Sequence, residues 1–86
     1  MQLEILTPEH KVYSGKVYGI KLPGTEGSFG ILENHAPMIA ALGKGKMKVM
    51  KDKNNNSTET YEISGGFVEM LNNKASVLIE DATALD

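Results

Sequence analysis

Apolar side chains recur at every second position along nearly the whole chain, and turn-forming residues interrupt them at intervals of about eight to twelve residues. Leu3 and Ile5 alternate with Gln2 and Glu4; Tyr18, Ile20 and Leu22 alternate with Val17, Gly19 and Lys21. Tyr61 and Ile63 alternate with Thr60 and Glu62, and Ala75, Val77 and Ile79 with Ser76, Leu78 and Glu80. A period of two is the period of a pleated strand with one face against a core. Many short strands with regular punctuation predict an all-β fold, a flattened antiparallel sandwich or barrel of about ten short strands.

The punctuation is read at Thr7-Pro8-Glu9-His10, Ser14-Gly15, Pro23-Gly24, Glu33-Asn34, Gly43-Lys44-Gly45, Ser64-Gly65-Gly66 and Asn72-Asn73. No apolar pattern of helical period outlasts about two turns before a glycine or proline interrupts it. The run Ala36-Pro37-Met38-Ile39-Ala40-Ala41-Leu42 suits a strand buried on both faces or a short helix; glycines crowding its far end favour the strand. Asp52-Lys53-Asn54-Asn55-Asn56-Ser57 is asparagine-rich and predicts the tip of a long hairpin joining 47–51 to 58–64.

With 86 residues, the chain is expected to form one domain over 1–86. At that size a domain buries roughly 60–65% of its unfolded surface, enough for one modest core. No apolar run approaches the roughly 20 residues of a membrane-crossing helix, and MQLEIL lacks the pattern of a signal peptide. Cysteine is absent, which removes disulfides and thiolate metal sites, and the expectation is a soluble intracellular domain. The net charge is −2, and all nine basic residues are lysines, so no guanidinium clamp for phosphate or guanine exists. Lys44, Lys46 and Lys48 share one parity opposite Met47 and Val49, which reads as a solvated strand face rather than a nucleic-acid patch.

The stretch LPGTEGSFGIL, residues 22–32, carries three glycines and resembles a phosphate loop. It lacks the terminal Gly-Lys-Ser/Thr and any following helix, so backbone N–H groups there would have no helix dipole behind them. A turn is the better account: Pro23-Gly24 suits the centre of a type II turn, with Gly27 and Gly30 serving a second bend or bulge. Gly24, Gly30, Gly65 and Gly66 are accordingly expected as turn glycines. His10 and His35 have no second ligand at metal spacing, and His35 reads as a turn residue bonded to local backbone, or as a partner contact. Glu69 is expected on an outer face between Val68 and Met70, and no serine sits in a nucleophile elbow. No catalytic, cofactor or metal constellation emerges.

Ordered along the chain stand Leu3-Glu4-Ile5-Leu6-Thr7-Pro8, Tyr13-Ser14-Gly15, LPGTEGSFGIL, His35-Ala36-Pro37 and Ser64-Gly65-Gly66-Phe67-Val68-Glu69. In this order the motifs resemble the N-terminal domain of the epsilon subunit of F-type ATP synthases, equivalent to mitochondrial delta. The resemblance covers nearly the whole chain and implies a flattened ten-stranded sandwich. It also implies a non-catalytic central-stalk subunit that binds gamma and couples the stalk to the c-subunit ring, without cofactors. Such a subunit would lie peripherally on the cytoplasmic face of a bacterial membrane. The turn of the Gly-Ser/Thr-Glu-Gly motif faces the ring in that family, which carries over to Glu26, Gly27 and Ser28. Ser28 stands where many members have an acid, so a charge pair with the ring would be absent or moved to Glu26.

The next turn usually reads Pro-Gly-His-Ala-Pro; here it is Glu33-Asn34-His35-Ala36-Pro37. Asn34 is the best non-glycine residue for a positive φ, so the turn should survive, leaving His35 as a subunit contact near the ring-facing end. The chain stops at Asp81-Ala82-Thr83-Ala84-Leu85-Asp86, where the family's C-terminal helical hairpin would begin. That hairpin is expected to be absent, and with it ATP sensing; a starting Met1 favours a naturally short form over a truncated one. A free-standing β-sandwich ligand-binding module is the alternative reading, motivated by the glycine-rich turns and a possible cleft between sheets.

Overall fold

The structure is a computed structural model describing residues 1–54 and 57–85. Asn55 and Asn56, in the expected tip of the long hairpin, and Asp86 lie outside the described residues. Eight strands follow one another: β1 (Gln2–Leu6), β2 (Lys11–Lys16), β3 (Gly19–Gly24), β4 (Gly27–Leu32), β5 (Met38–Leu42), β6 (Gly45–Met50), β7 (Thr58–Leu71) and β8 (Lys74–Leu85). No helix occurs among the described residues.

The number is eight rather than ten because β7 and β8, of 14 and 12 residues, each serve twice. Residues 58–63 of β7 pair with β6, and residues 66–70 pair with β5. Strand β8 follows β7 through both halves in one unbroken register, Thr60↔Leu85 to Ser64↔Asp81 and then Gly66↔Ile79 to Leu71↔Lys74. The sheet therefore folds on itself into two facing layers of five segments each. The first holds β2, β1, the start of β8, the end of β7 and β5; the second holds β4, β3, β6, the start of β7 and the end of β8. All pairings are antiparallel except β1 with β8, two strands no hairpin joins.

Ser64-Gly65-Gly66 is thus a bend inside one continuous strand, not a turn between two. Gly65 and Gly66 have φ of 52° and 144°, and a Cβ on Gly66 would stand 2.1 Å from the Leu78 carbonyl oxygen. Only glycine lets β7 press that closely on β8 while turning from one layer to the other. Ser14-Gly15 likewise lies within β2, paired with Leu3 and Glu4. A Cβ at Gly15 would rest in ordinary contact with the Tyr13 ring, at 3.4–3.7 Å.

Inward-facing residues of both layers form one core. Leu3, Ile5, Val68, Met70, Ala75, Val77 and Ile79 come from the first layer; Ile20, Leu22, Ile31, Met47, Val49, Tyr61 and Ile63 come from the second. Most are positions the alternation selects, including Met47 and Val49 behind the lysine face, with Glu69 exposed between buried Val68 and Met70; just before β3 the expected phase is reversed, since Val17 is buried and Tyr18 only half-buried. The Met1 side chain joins the core, and its ammonium group donates to the Val17 carbonyl at 2.9 Å and the Glu33 carboxylate at 2.8 Å. The contender for a helix, 36–42, forms β5; it is not buried on both faces, since Ile39 and Ala41 are exposed and Leu42 is buried.

Candidate interaction surfaces

Two outer faces follow from the register, and they differ in chemistry. On the second layer, the outward row Gly30, Lys21, Lys48, Thr60 is polar, and the neighbouring pair is Lys46 with Glu62. On the first layer, one outward row runs Ala41, Phe67, Leu78, Leu6 across four strands. Ile39, one outward position from Ala41 and opposite Glu69, is 71% exposed, and Phe67 and Leu71 are nearly half exposed. Four of the five large apolar side chains exposed among the described residues, Ile39, Phe67, Leu71 and Leu78, fall on this face; the fifth, Leu32, is on β4. A groove of about 460 Å³ runs along its far edge between the β1–β2 loop and the bend of β7, lined by Leu6, Pro8, Phe67 and Leu78. A contiguous apolar face rimmed by charge, here Glu69 and the Glu4 carboxylate held by Lys11 at 3.4 Å and Lys74 at 3.2 Å, is the form of a protein-binding surface.

Sequence reasoning placed Leu78 on the outward parity without drawing the consequence. The signal was present: Phe67, Glu69 and Leu71 share one face, so two large apolar residues had to point away from the core that takes Val68 and Met70.

The second surface is the tip of the β3–β4 hairpin. Pro23 and Gly24 are not a type II turn; they continue β3, paired with Ser28 and Gly27. The turn is the two-residue loop Thr25-Glu26, neither with positive φ, and the left-handed step falls on Gly27 at φ 124°. Gly24 has no positive φ, and Gly30 sits in regular pairing with Lys21, so neither is a turn glycine. Gly24 instead makes room for the Phe29 ring. Glu26, Gly27 and Ser28 are exposed at this tip.

His35 lies elsewhere. It follows the turn at Glu33-Asn34, where Asn34 takes φ 63° and donates its N–H to the Asn73 side chain at 2.7 Å. Its Nδ1 is 2.8 Å from the Ala36 carbonyl oxygen. Six-residue β4 separates this turn from the Glu26 tip by roughly 17–20 Å of strand, so His35 is at the opposite end of the sandwich from Glu26. The two cannot share one end-on contact.

The described residues contain no group of three or more potential metal ligands. One ionisable cluster ties Lys51 to Glu59, with Tyr61 donating to Glu59 at 2.6 Å and Lys51 lying 5.7 Å over the Tyr13 ring. Burial, then the Glu59 hydrogen bond, raises the Tyr61 phenol; bonds from Lys51 and then Tyr61 lower the Glu59 carboxyl. Each group is occupied by another, so the cluster pins the loop after β6 to the start of β7 and leaves no free acid, base or nucleophile.

A two-layered sandwich with a broad apolar face and a presented hairpin tip has the form of an assembly module. The chain belongs to the ATP synthase delta/epsilon chain family: the family model for its beta-sandwich domain matches residues 1–85. It is 41% identical over 83 residues to the ATP synthase epsilon chain of Chlorobium limicola, covering 95% of this chain and 91% of that one. It is 46% identical over 80 residues to the epsilon chain of Maridesulfovibrio salexigens, spanning 93% of this chain but only 54% of the relative. In fold it matches a chain in the Euglena gracilis mitochondrial ATP synthase structure of OSCP, F1 and c-ring, with a TM-score of 0.87 at 21% identity over 98% of this chain and 54% of that chain. A chain of the Tetrahymena thermophila mitochondrial ATP synthase central stalk and c-ring gives 0.77 at 18% identity over 95% of this chain and 64% of that chain. No helix among the described residues is long and apolar enough to cross a membrane.

Proposed function

We propose that the chain is a non-catalytic central-stalk subunit of an F-type proton-translocating ATP synthase, binding gamma and coupling the stalk to the c-ring. The observation that carries this reading is the apolar outer face of the first layer in a domain of this family. That face, with Phe67 and Leu78 on its inner strands and Ile39 on its edge strand, binds gamma. Burying exposed apolar area at roughly 25 cal/mol per Å² is the natural drive for a stable subunit contact. Glu26, Gly27 and Ser28 form the contact with polar loops of the ring, while His35 at the opposite end faces away from it. The protein works peripherally, on the cytoplasmic face of a bacterial membrane, and proton-driven rotation passes through it as a rigid body. The groove beside Phe67 is continuous with the gamma-binding face and has few convergent polar groups, which favours a protein partner over a small ligand.

Isothermal titration of purified chain into gamma tests the reading and should give a 1:1 complex; absence of binding overturns it. In reconstituted vesicles, omitting the chain should leave ATP hydrolysis by the catalytic head while proton pumping falls.

A further inference from the structure

The hairpin tip does not hang free from the second layer. The Thr25 N–H donates to the Ala41 carbonyl at 3.2 Å, and the Gly43 N–H donates to the Pro23 carbonyl at 2.8 Å. Gly24 also pairs with Leu42, so the end of β3 leaves its own layer and leans on β5, the edge strand of the other. Beneath it the Phe29 ring lies against Gly24: a Cβ there would stand 2.8–2.9 Å from two ring carbons and 2.6 Å from the Gly27 carbonyl oxygen. Phe29 is half-buried, with its inner edge packed on the core. Strand β5 is also the strand whose outward side chains are Ile39 and Ala41. One short strand thus carries part of the apolar face and holds the tip.

From this geometry we infer that Gly24 and Phe29 are positioning residues that fix the Glu26 tip to β5 in one orientation. The ring of Phe29 packs between Gly24 and the core, and the missing Cβ of Gly24 lets the ring come close against the backbone. Two backbone hydrogen bonds leave a two-residue loop free to pivot about them; an aromatic ring packed beside them removes that freedom. The role of this positioning, to deliver Glu26 and Ser28 to a partner in fixed relation to the gamma-binding face, rests on the proposed function above.

The chain has no native cysteine, so Glu26→Cys with Glu69→Cys gives two spin-label sites in the isolated protein, one on the tip and one on the first-layer face. Electron-electron distance measurement should show a single narrow distribution in the parent chain. Phe29→Ala should broaden or shift it by several ångströms, Gly24→Ala should shift it, and Phe29→Tyr should restore it. An unchanged distribution in Phe29→Ala, with circular dichroism confirming the fold, overturns the inference. In the assembled enzyme, Phe29→Ala should lower proton pumping per ATP severalfold with gamma affinity changed less than twofold, and Phe29→Tyr should recover pumping. Broadened distances with undiminished pumping would overturn the ring-facing reading of the tip, while the positioning itself would stand.

Discussion

At the scale of single residues, glycines of similar appearance in the sequence do unlike things. Gly66 has a left-handed φ of 144° and no room for a Cβ, whereas Gly30 has ordinary strand geometry with its nearest obstacle, the Ile20 carbonyl oxygen, at 3.6 Å. Gly66→Ala should therefore cost about 2–4 kcal/mol through backbone strain and collision, a fall in Tm of roughly 10 °C or more in thermal melts. Gly30→Ala should change stability by less than about 1 kcal/mol, with a gain the expected sign. Equal losses at the two positions would contradict the assigned geometry.

Acid stability is set at the same scale. Hydrogen bonds from Lys74 and Lys11 lower the Glu4 carboxyl, the terminal ammonium lowers Glu33, and Lys51 with Tyr61 lowers Glu59, all from an ordinary value of 4.5. The folded state thus binds fewer protons than the unfolded one in this range. Their contribution is complete above pH 4.5 and is lost as pH falls below it through the lowered values. The Tyr61 phenol works with opposite sign at the alkaline end: raised above its ordinary 10.0, it favours the folded state below pH 10 and loses that contribution as pH climbs beyond it. Melting temperature against pH should fall on both sides, and Glu59→Gln should flatten part of the acid limb because one proton-linked pair is gone.

At the scale of elements, alternation gives each strand two faces but does not say what covers them. For β6 the outward face is lysine-bearing and the inward face is core, so the sequence suffices. For β5 and the second half of β7, both faces are apolar, and only their place at the edge and middle of the first layer shows which side has no neighbour. Phe67→Asp and Ile39→Asp should lower gamma affinity at least tenfold, about 1.4 kcal/mol or more, in calorimetric titration. Their Tm should shift by only a few degrees, because both side chains are exposed in the isolated chain. Lys48→Glu, on the opposite layer, is the control and should leave affinity within about twofold if the face is correctly assigned.

Turns show the same division. Asn72-Asn73 was legible because asparagine tolerates positive φ, and both residues take it, at 51° and 59°, in the two-residue loop between β7 and β8. Pro23-Gly24 carried an equally good turn signature but was drawn into β3. Its pairing with Ser28 and Gly27 and with β5 outweighed the local preference, and the bend moved on to Thr25-Glu26.

On the scale of the whole molecule, β7 and β8 belong to both layers, so neither layer can come apart alone. Tyrosine fluorescence and far-ultraviolet circular dichroism should report one coincident denaturant transition; two separated transitions would mean the layers are independent units. The three tyrosines, at 13, 18 and 61, make this feasible in a chain without tryptophan.

The sequence by itself determined the all-β class, the inward face of strands with one polar side such as β1 and β6, and the left-handed turn at Asn34. All of these follow from local chemistry: the pleat's period of two and the φ tolerance of asparagine. Only the tertiary structure decided that ten strand segments are eight strands, that β1 lies parallel to β8, and that His35 and Glu26 stand at opposite ends. It alone also decided that Ile39, Phe67 and Leu78 meet on one open face. Those facts depend on pairings between residues far apart along the chain, and a strand's own pattern is the same whichever neighbour it finds.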